Sequence, residues 1–242
     1  MIVRIKSLRH LALLSGWILY FTASHAQETE NMNISVTGAM RETMWNGQLS
    51  GLIDLDSLKS QDHFFGLGPL EHLHGEIMLM GDTCYVSTVD PNGRAFVEKT
   101  YKAKAPFFVC ARVDGWESIQ LPTGVSDNKR LETFLDSTTR KQPRPFAFQM
   151  QGRVRSAQVH IMNLPPGTAV NEPADAHRHQ ADYFIEDEVV RILGFFSTKH
   201  QRVFTHHDTF LHLHLITADG RLMGHVDSLE LVGEDVELKI GL

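Results

Sequence analysis

The chain has 242 residues, 42% hydrophobic and 21% charged, with 23 lysines and arginines against 29 aspartates and glutamates. That length supports one large domain or two small lobes around a real core. A net charge of −6 excludes nucleic acid as the main partner, because phosphate binding runs on a basic surface, and two cysteines exclude a Cys-rich zinc module or a disulfide framework.

Arg4, Lys6 and Arg9 open the chain, Leu11 to Phe21 is apolar apart from Ser15 and Gly16, and Ser24-His25-Ala26 carries small residues two apart. This order is that of a secretory signal peptide, and its apolar stretch is too short for a stable membrane span. The expectation is cleavage after Ala26 and an exported protein, periplasmic or secreted, with no membrane contact once the signal is removed. Residues 27–49 read as a loose polar leader and residues 50–242 as the domain. Cys84 and Cys110 either pair outside the cytoplasm or stand as two buried strand residues; spacing alone fits both.

Leu52 to Leu58 reads as a short helix. Gly75 to Met80 and Thr83 to Val89 read as strands around a Gly81-Asp82 turn. Ala105 to Val113 is one apolar strand, closed by Asp114-Gly115. Ser126 or Asp127 caps a helix running to about Thr139, with Leu131, Phe134 and Leu135 on its inner face. Phe146 to Met150 and Val154 to Met162 flank Gln151-Gly152 as a hairpin candidate, Asn163 to Pro173 is a proline-rich loop, and Val189 to Phe196 is a strand. Phe210 to Thr217 and Leu222 to Leu231 form the last pair. Many hairpins with one or two helices predict an α+β fold of mixed or antiparallel sheet with few helices. There is no Gly-x-Ser-x-Gly elbow and no phosphate-binding loop, and Gly66-Leu67-Gly68 lacks the third glycine of a dinucleotide site.

The unusual number is 14 histidines. In Phe210-Leu211-His212-Leu213-His214-Leu215, alternation along a strand points His212 and His214 one way and the leucines the other. A two-residue turn at Asp219-Gly220 sets Ala218 opposite Arg221 and, counting outward, His214 directly opposite His225. Three imidazoles then share one face at separations of about 5 to 7 Å, workable for one metal. Three neutral histidines leave coordination positions open, which suits catalysis rather than a closed structural site. Zinc is the default, and another divalent metal is compatible with the ligand type. The plain alternative is a solvent-facing strand that is polar on one side. Of the remaining histidines, His206 and His207 read as supporting or loop residues, and His72 and His74 as candidates for the same pocket. His177 and His179 read as solvated, and His200 has no identifiable partner.

The segments Leu193-Gly194-Phe195-Phe196-Ser197, Phe210-Leu211-His212-Leu213-His214 and Gly224-His225-Val226-Asp227 resemble the acetolactate decarboxylases, whose three histidines bind zinc. Upstream, Gly66-Leu67-Gly68, His74-Gly75-Glu76-Ile77, Asp82 to Tyr85, Leu131 to Asp136 and Phe146-Ala147-Phe148 with Gly152 extend the likeness over about residues 50 to 231. The resemblance implies a two-lobed domain and dimers. It also implies a metal-dependent decarboxylase that converts 2-acetolactate, or a related 2-hydroxy-3-keto acid, to acetoin and CO2, with the metal polarising the ketone and hydroxyl oxygens. Glu76 takes the position of a family active-site glutamate, for acid–base work or orientation of bound water.

Three positions depart from the family pattern. An arginine that can hold the substrate carboxylate is matched by His160. A second glutamate beyond the Gly-His-Val strand has only Glu234 or Glu237 to replace it. Pro69 stands where threonine is frequent. Two functions therefore remain open: a decarboxylase, or an exported non-catalytic metal- or ligand-binding module that retains the three histidines.

Overall fold

The computed structural model describes residues 33–242, other than the side chains of residues 233 and 234. The expected signal peptide at 1–26 and the first part of the expected leader lie outside the described residues. The described part of that leader is not loose: it holds strand β1 (Ile34–Thr37) and helix α1 (Met40–Asn46). Met40 and Met44, one turn apart, are both buried. Two anchors among polar neighbours are too sparse a pattern to register as a helix.

The short strand β2 (Ile53–Asp54) runs into a 3-10 turn at Leu55–Leu58, where a longer helix was expected. Then come β3 (Phe64–Pro69), β4 (Glu76–Met80), β5 (Thr83–Val89), β6 (Ala95–Lys99), β7 (Lys104–Ala105) and β8 (Phe108–Arg112). Six of these strands form an antiparallel sheet ordered β1-β8-β3-β4-β5-β6, while β2 and β7 pair separately. The single strand expected over Ala105 to Val113 is thus two. Pro106, which has no N–H to give a ladder, separates a β2 partner from a β3 partner. Cys110, Gly66, Leu79 and Cys84 form one row across four adjacent strands. The two thiols are therefore three strand spacings, about 14 Å, apart. Both are free and buried, and burial pushes the Cys84 thiol up to about 12 and that of Cys110 to about 11.

The second half contains β9 (Trp116–Ile119), α2 (Asn128–Thr138), β10 (Phe146–Ile161), α3 (Pro173–His177), β11 (Ala181–Phe196), β12 (Leu211–Thr217) and β13 (Met223–Gly241). Asp127 caps α2, its carboxylate accepting the Arg130 N–H at 2.8 Å. Strand β10 is continuous, so the hairpin expected at Gln151-Gly152 does not exist. Gly152 instead marks a shift of register against β13; its φ is +156°, and a Cβ there would meet the Asp235 carbonyl oxygen at 1.9 Å. A strand glycine signals a turn or a bulge equally in sequence, and here it is the bulge.

Strand β10 pairs with β11 and with β13, β11 with β12, and β12 with β13, so four strands close into a ring, and β9 adds to β13. Phe148, Val154, Ile192, Leu213 and Leu238 belong to its core, which Leu131 and Leu135 of α2 cover. The observed architecture is α+β, with antiparallel sheets and three α-helices among the described residues. None of these helices is long and apolar enough to cross a membrane.

Candidate metal centre

Strand β12 carries the expected alternation. Leu211, Leu213 and Leu215 enter the ring's core, and His212 and His214 face the other way, both buried. The register places His214 opposite His225 as the sequence predicts. The loop differs in detail, since the ladder closes with the Thr217 N–H donating to the Leu222 carbonyl at 3.0 Å, leaving four residues in the turn. Register survives because the count across the turn is unchanged. Gly224 lets β13 approach β10, since a Cβ there would stand 2.5 Å from the His160 carbonyl oxygen.

One coordinating nitrogen from each of His212, His214 and His225 lies within 4.8 Å of the others. Nδ1 of His212 and Nε2 of His214 are buried without a hydrogen-bond partner among the described residues. Leaving such groups unpaired costs about 1–3 kcal/mol each, a cost that a bound cation removes. Burial, reinforced by the neighbouring imidazoles, holds all three rings well below the usual histidine range, His214 at about 3. They are neutral donors, as metal ligands must be. The donor set fits a divalent metal.

Glu76 comes from the other sheet, at the start of β4. It is 3% exposed, and its Oε2 lies 3.5 Å from His214 Nε2. Burial raises its carboxyl well above the ordinary value, although the Met162 N–H donates to Oε1 at 3.3 Å. His160 of β10 stands opposite His225 and is also buried. Its Nδ1 lies 2.8 and 2.9 Å from the two carboxylate oxygens of Asp227. Asp227 has no partner in the ladder, because the β10–β13 register slips between Gln158 and Val159. Such a two-against-one bulge re-aims a side chain. The Gly-His-Val-Asp segment contained the signal for Asp227, two residues after His225, but alternation alone assigns it no partner.

His206 joins the cluster, its ring centroid 5.1 Å from that of His225. His177, expected to be solvated, joins it too, 5.6 Å from His160. The short helix α3 brings it there, which no strand or helix period in the sequence announced. His179 and His207 are exposed. His200 has a partner after all: its Nδ1 lies 2.7 Å from Ser197 Oγ. His72 and His74 do not line this pocket but a separate cavity, with Leu70, Lys102 and Leu164. The left-handed backbone at His72 and Leu73, φ 61° and 51°, breaks the alternation that would have aligned them with Glu76. Glu237 bonds Ser118 on the far part of β13 and does not reach the centre, and the Glu234 side chain lies outside the described residues. Pro69 lines the cavity beside Glu76.

The three buried rings set an acid limit on the metal-free fold. Released into the unfolded chain they take protons near 6.5, whereas in the fold they resist protonation. The unfolded state therefore binds more protons below that pH. Full stability is expected above about pH 6.5, falling as the pH drops toward 3. Glu76 acts oppositely, losing its contribution as pH rises through its raised value. Urea midpoints of chelator-treated protein between pH 7.5 and 4.5 should fall; a flat series would contradict the neutral triad.

Residues 37–242 match the family model described as alpha-acetolactate decarboxylase. A curated alpha-acetolactate decarboxylase from Brevibacillus brevis is 25% identical over 193 residues, which are 79% of this chain and 65% of the relative's length. The crystal structure of alpha-acetolactate decarboxylase from Bacillus subtilis strain 168 superposes with a TM-score of 0.69 at 19% identity, over 86% of this chain and 84% of that one. A Staphylococcus aureus protein of unknown function, described as similar to alpha-acetolactate decarboxylase, gives 0.68 at 17% identity over the same shares. Family match and fold agree: the chain belongs to the alpha-acetolactate decarboxylase family.

Proposed function

We propose that the protein is a metal-dependent carboxy-lyase that converts 2-acetolactate, or a related 2-hydroxy-3-keto acid, to acetoin and CO2. The observation that carries the reading is the convergence of three buried imidazoles with a buried carboxyl 3.5 Å from one of them. His212, His214 and His225 would hold the ion, zinc by default. A bound divalent ion supplies Lewis acidity to an oxygen that gains charge as the bond to the carboxylate breaks. Loss of CO2 leaves an electron pair on carbon, and forming the neutral product takes up one proton. Glu76 retains its proton to a higher pH than an ordinary carboxyl does, which suits it to deliver that proton. His160, on the wall beside His225, is assigned to the side of the site that receives the substrate carboxylate.

The test is acetoin formation from acetolactate by purified, zinc-loaded protein. Product above a His214→Ala control is expected. Retained metal without product would leave the non-catalytic binding module. For His160, replacement by alanine should raise KM at least about tenfold while His160→Arg preserves it, because arginine still offers N–H donors to a carboxylate on that wall and alanine offers none. Equal kinetics for the two variants would remove His160 from substrate binding.

A further inference from the structure

The metal centre adjoins two spaces of very different size. The β12–β13 ladder ends at the His214–His225 pair. Beyond it β12 stays with β11, Leu211 opposite Phe196, while β13 stays with β10, Val226 opposite Val159. The two strands part there, and a cleft of about 410 Å³ opens between Leu211, Leu213, Val226, Asp227 and Glu132 of α2. On the inner side Glu76, His160, His177 and His212 line a cavity of about 20 Å³. That is room for about one water or one ion. His206 and His225 line both spaces.

Size decides what must move. The outer cleft falls in the range of small-molecule sites, about 300–1,000 Å³. The inner cavity cannot take a branched keto acid beside an ion, so a group on the shared wall must yield before the substrate's oxygens reach the triad. His225 is fixed in the sheet, with His214 opposite it on one side and His160 on the other. His206 stands on a loop and is half-buried, its ring stacked on that of His225 at 5.1 Å between centroids. Among the described residues no hydrogen bond holds that ring, whereas His160 is tied to Asp227 and His177 to Gln180. The backbone of the loop is tied as well. The Glu132 carboxylate accepts the Thr209 hydroxyl at 2.7 Å and the Phe210 N–H at 2.6 Å, and the Gln201 amide donates to the His207 carbonyl at 2.9 Å. What is left to turn is the His206 side chain itself.

We propose that His206 is the gate between the cleft and the metal centre, and that it determines substrate size. The ring swings aside to admit the substrate, and the space it reclaims limits the substituent that the site accepts. The oxygens of the substrate face the triad while its alkyl groups remain in the cleft against Leu211, Leu213 and Val226. The identity of the substrate rests on the function proposed above; the gate does not, since any small molecule approaching the ion from the cleft must pass the same ring.

The test uses the zinc-loaded full chain with His206→Ala and His206→Trp, folding being checked by circular dichroism. The first readout is the rate at which pyridine-2,6-dicarboxylate, a chelator that must reach the ion, removes zinc. Removal is expected to be about tenfold faster in His206→Ala and about tenfold slower in His206→Trp, with zinc content and equilibrium zinc affinity unchanged. The second readout compares acetolactate with its homologue bearing ethyl in place of the methyl beside the hydroxyl. The ratio of kcat/KM for the homologue to that for acetolactate should rise about tenfold in His206→Ala. Equal removal rates in all three proteins would overturn the gate. Zinc lost or held more weakly in His206→Ala would also overturn it, by making His206 a ligand or a brace of the centre. Ordered removal rates without acetoin from any of the proteins would sink the proposed function and keep the gate. Ordered rates with an unchanged substrate ratio would overturn the control of substrate size.

Discussion

His214→Ala is expected to abolish acetoin formation, by on the order of a thousandfold or more, and to lower the zinc held at the triad in parallel. His214 is fully buried and central: it faces His225 across the ladder, neighbours His212 on its own strand, and lies 3.5 Å from Glu76. A ring removed there takes away one of three ligands and opens a void that no other side chain fills. Lewis-acid stabilisation is worth several kcal/mol, and every 1.36 kcal/mol of barrier is tenfold in rate. Initial rates and zinc content measured on the same preparation check the coupling. A variant that loses zinc but keeps its rate would separate the metal from the chemistry and sink the proposed function.

Glu76→Gln should lower kcat by about 10²–10⁴-fold and leave zinc content nearly unchanged. Glutamine has the same shape and can still accept the Met162 N–H, so packing is preserved. It has no proton to give. The buried carboxyl is neutral over a wider pH range than usual, so the swap removes a proton donor without stranding a charge. Loss falling on kcat with KM steady marks a group acting in the transition state. If zinc is lost instead, Glu76 is a ligand and the proton comes from another source.

The two ends of the centre differ in how they were legible. His212, His214 and His225 were readable because a strand period of two and a short turn between paired segments are local rules; counting across Asp219-Gly220 yields the register observed. The β4–β5 hairpin and the Asp127 cap were readable for the same reason. Gly152 was misread because turn and bulge share one residue signature, and only the β13 partner distinguishes them.

His177, His206 and Asp227 belong to the other kind. A five-residue helix, a loop and a bulge bring them to His160 from three separate segments of chain. None of those devices has a period. His72 and His74 failed in the opposite sense, because two left-handed residues turned them away from a site they adjoin in sequence.

By itself the sequence determined the class of fold, the strand that carries His212 and His214, and its pairing with His225, since each follows from periodicity and turn length within about fifteen residues. Only the tertiary structure decided that four strands close into a ring, that Glu76 crosses from the other sheet to the triad, and that three further imidazoles gather beside it. Those contacts join residues far apart in the chain. Which of many possible pairings forms depends on the packing of both sheets at once rather than on any local pattern.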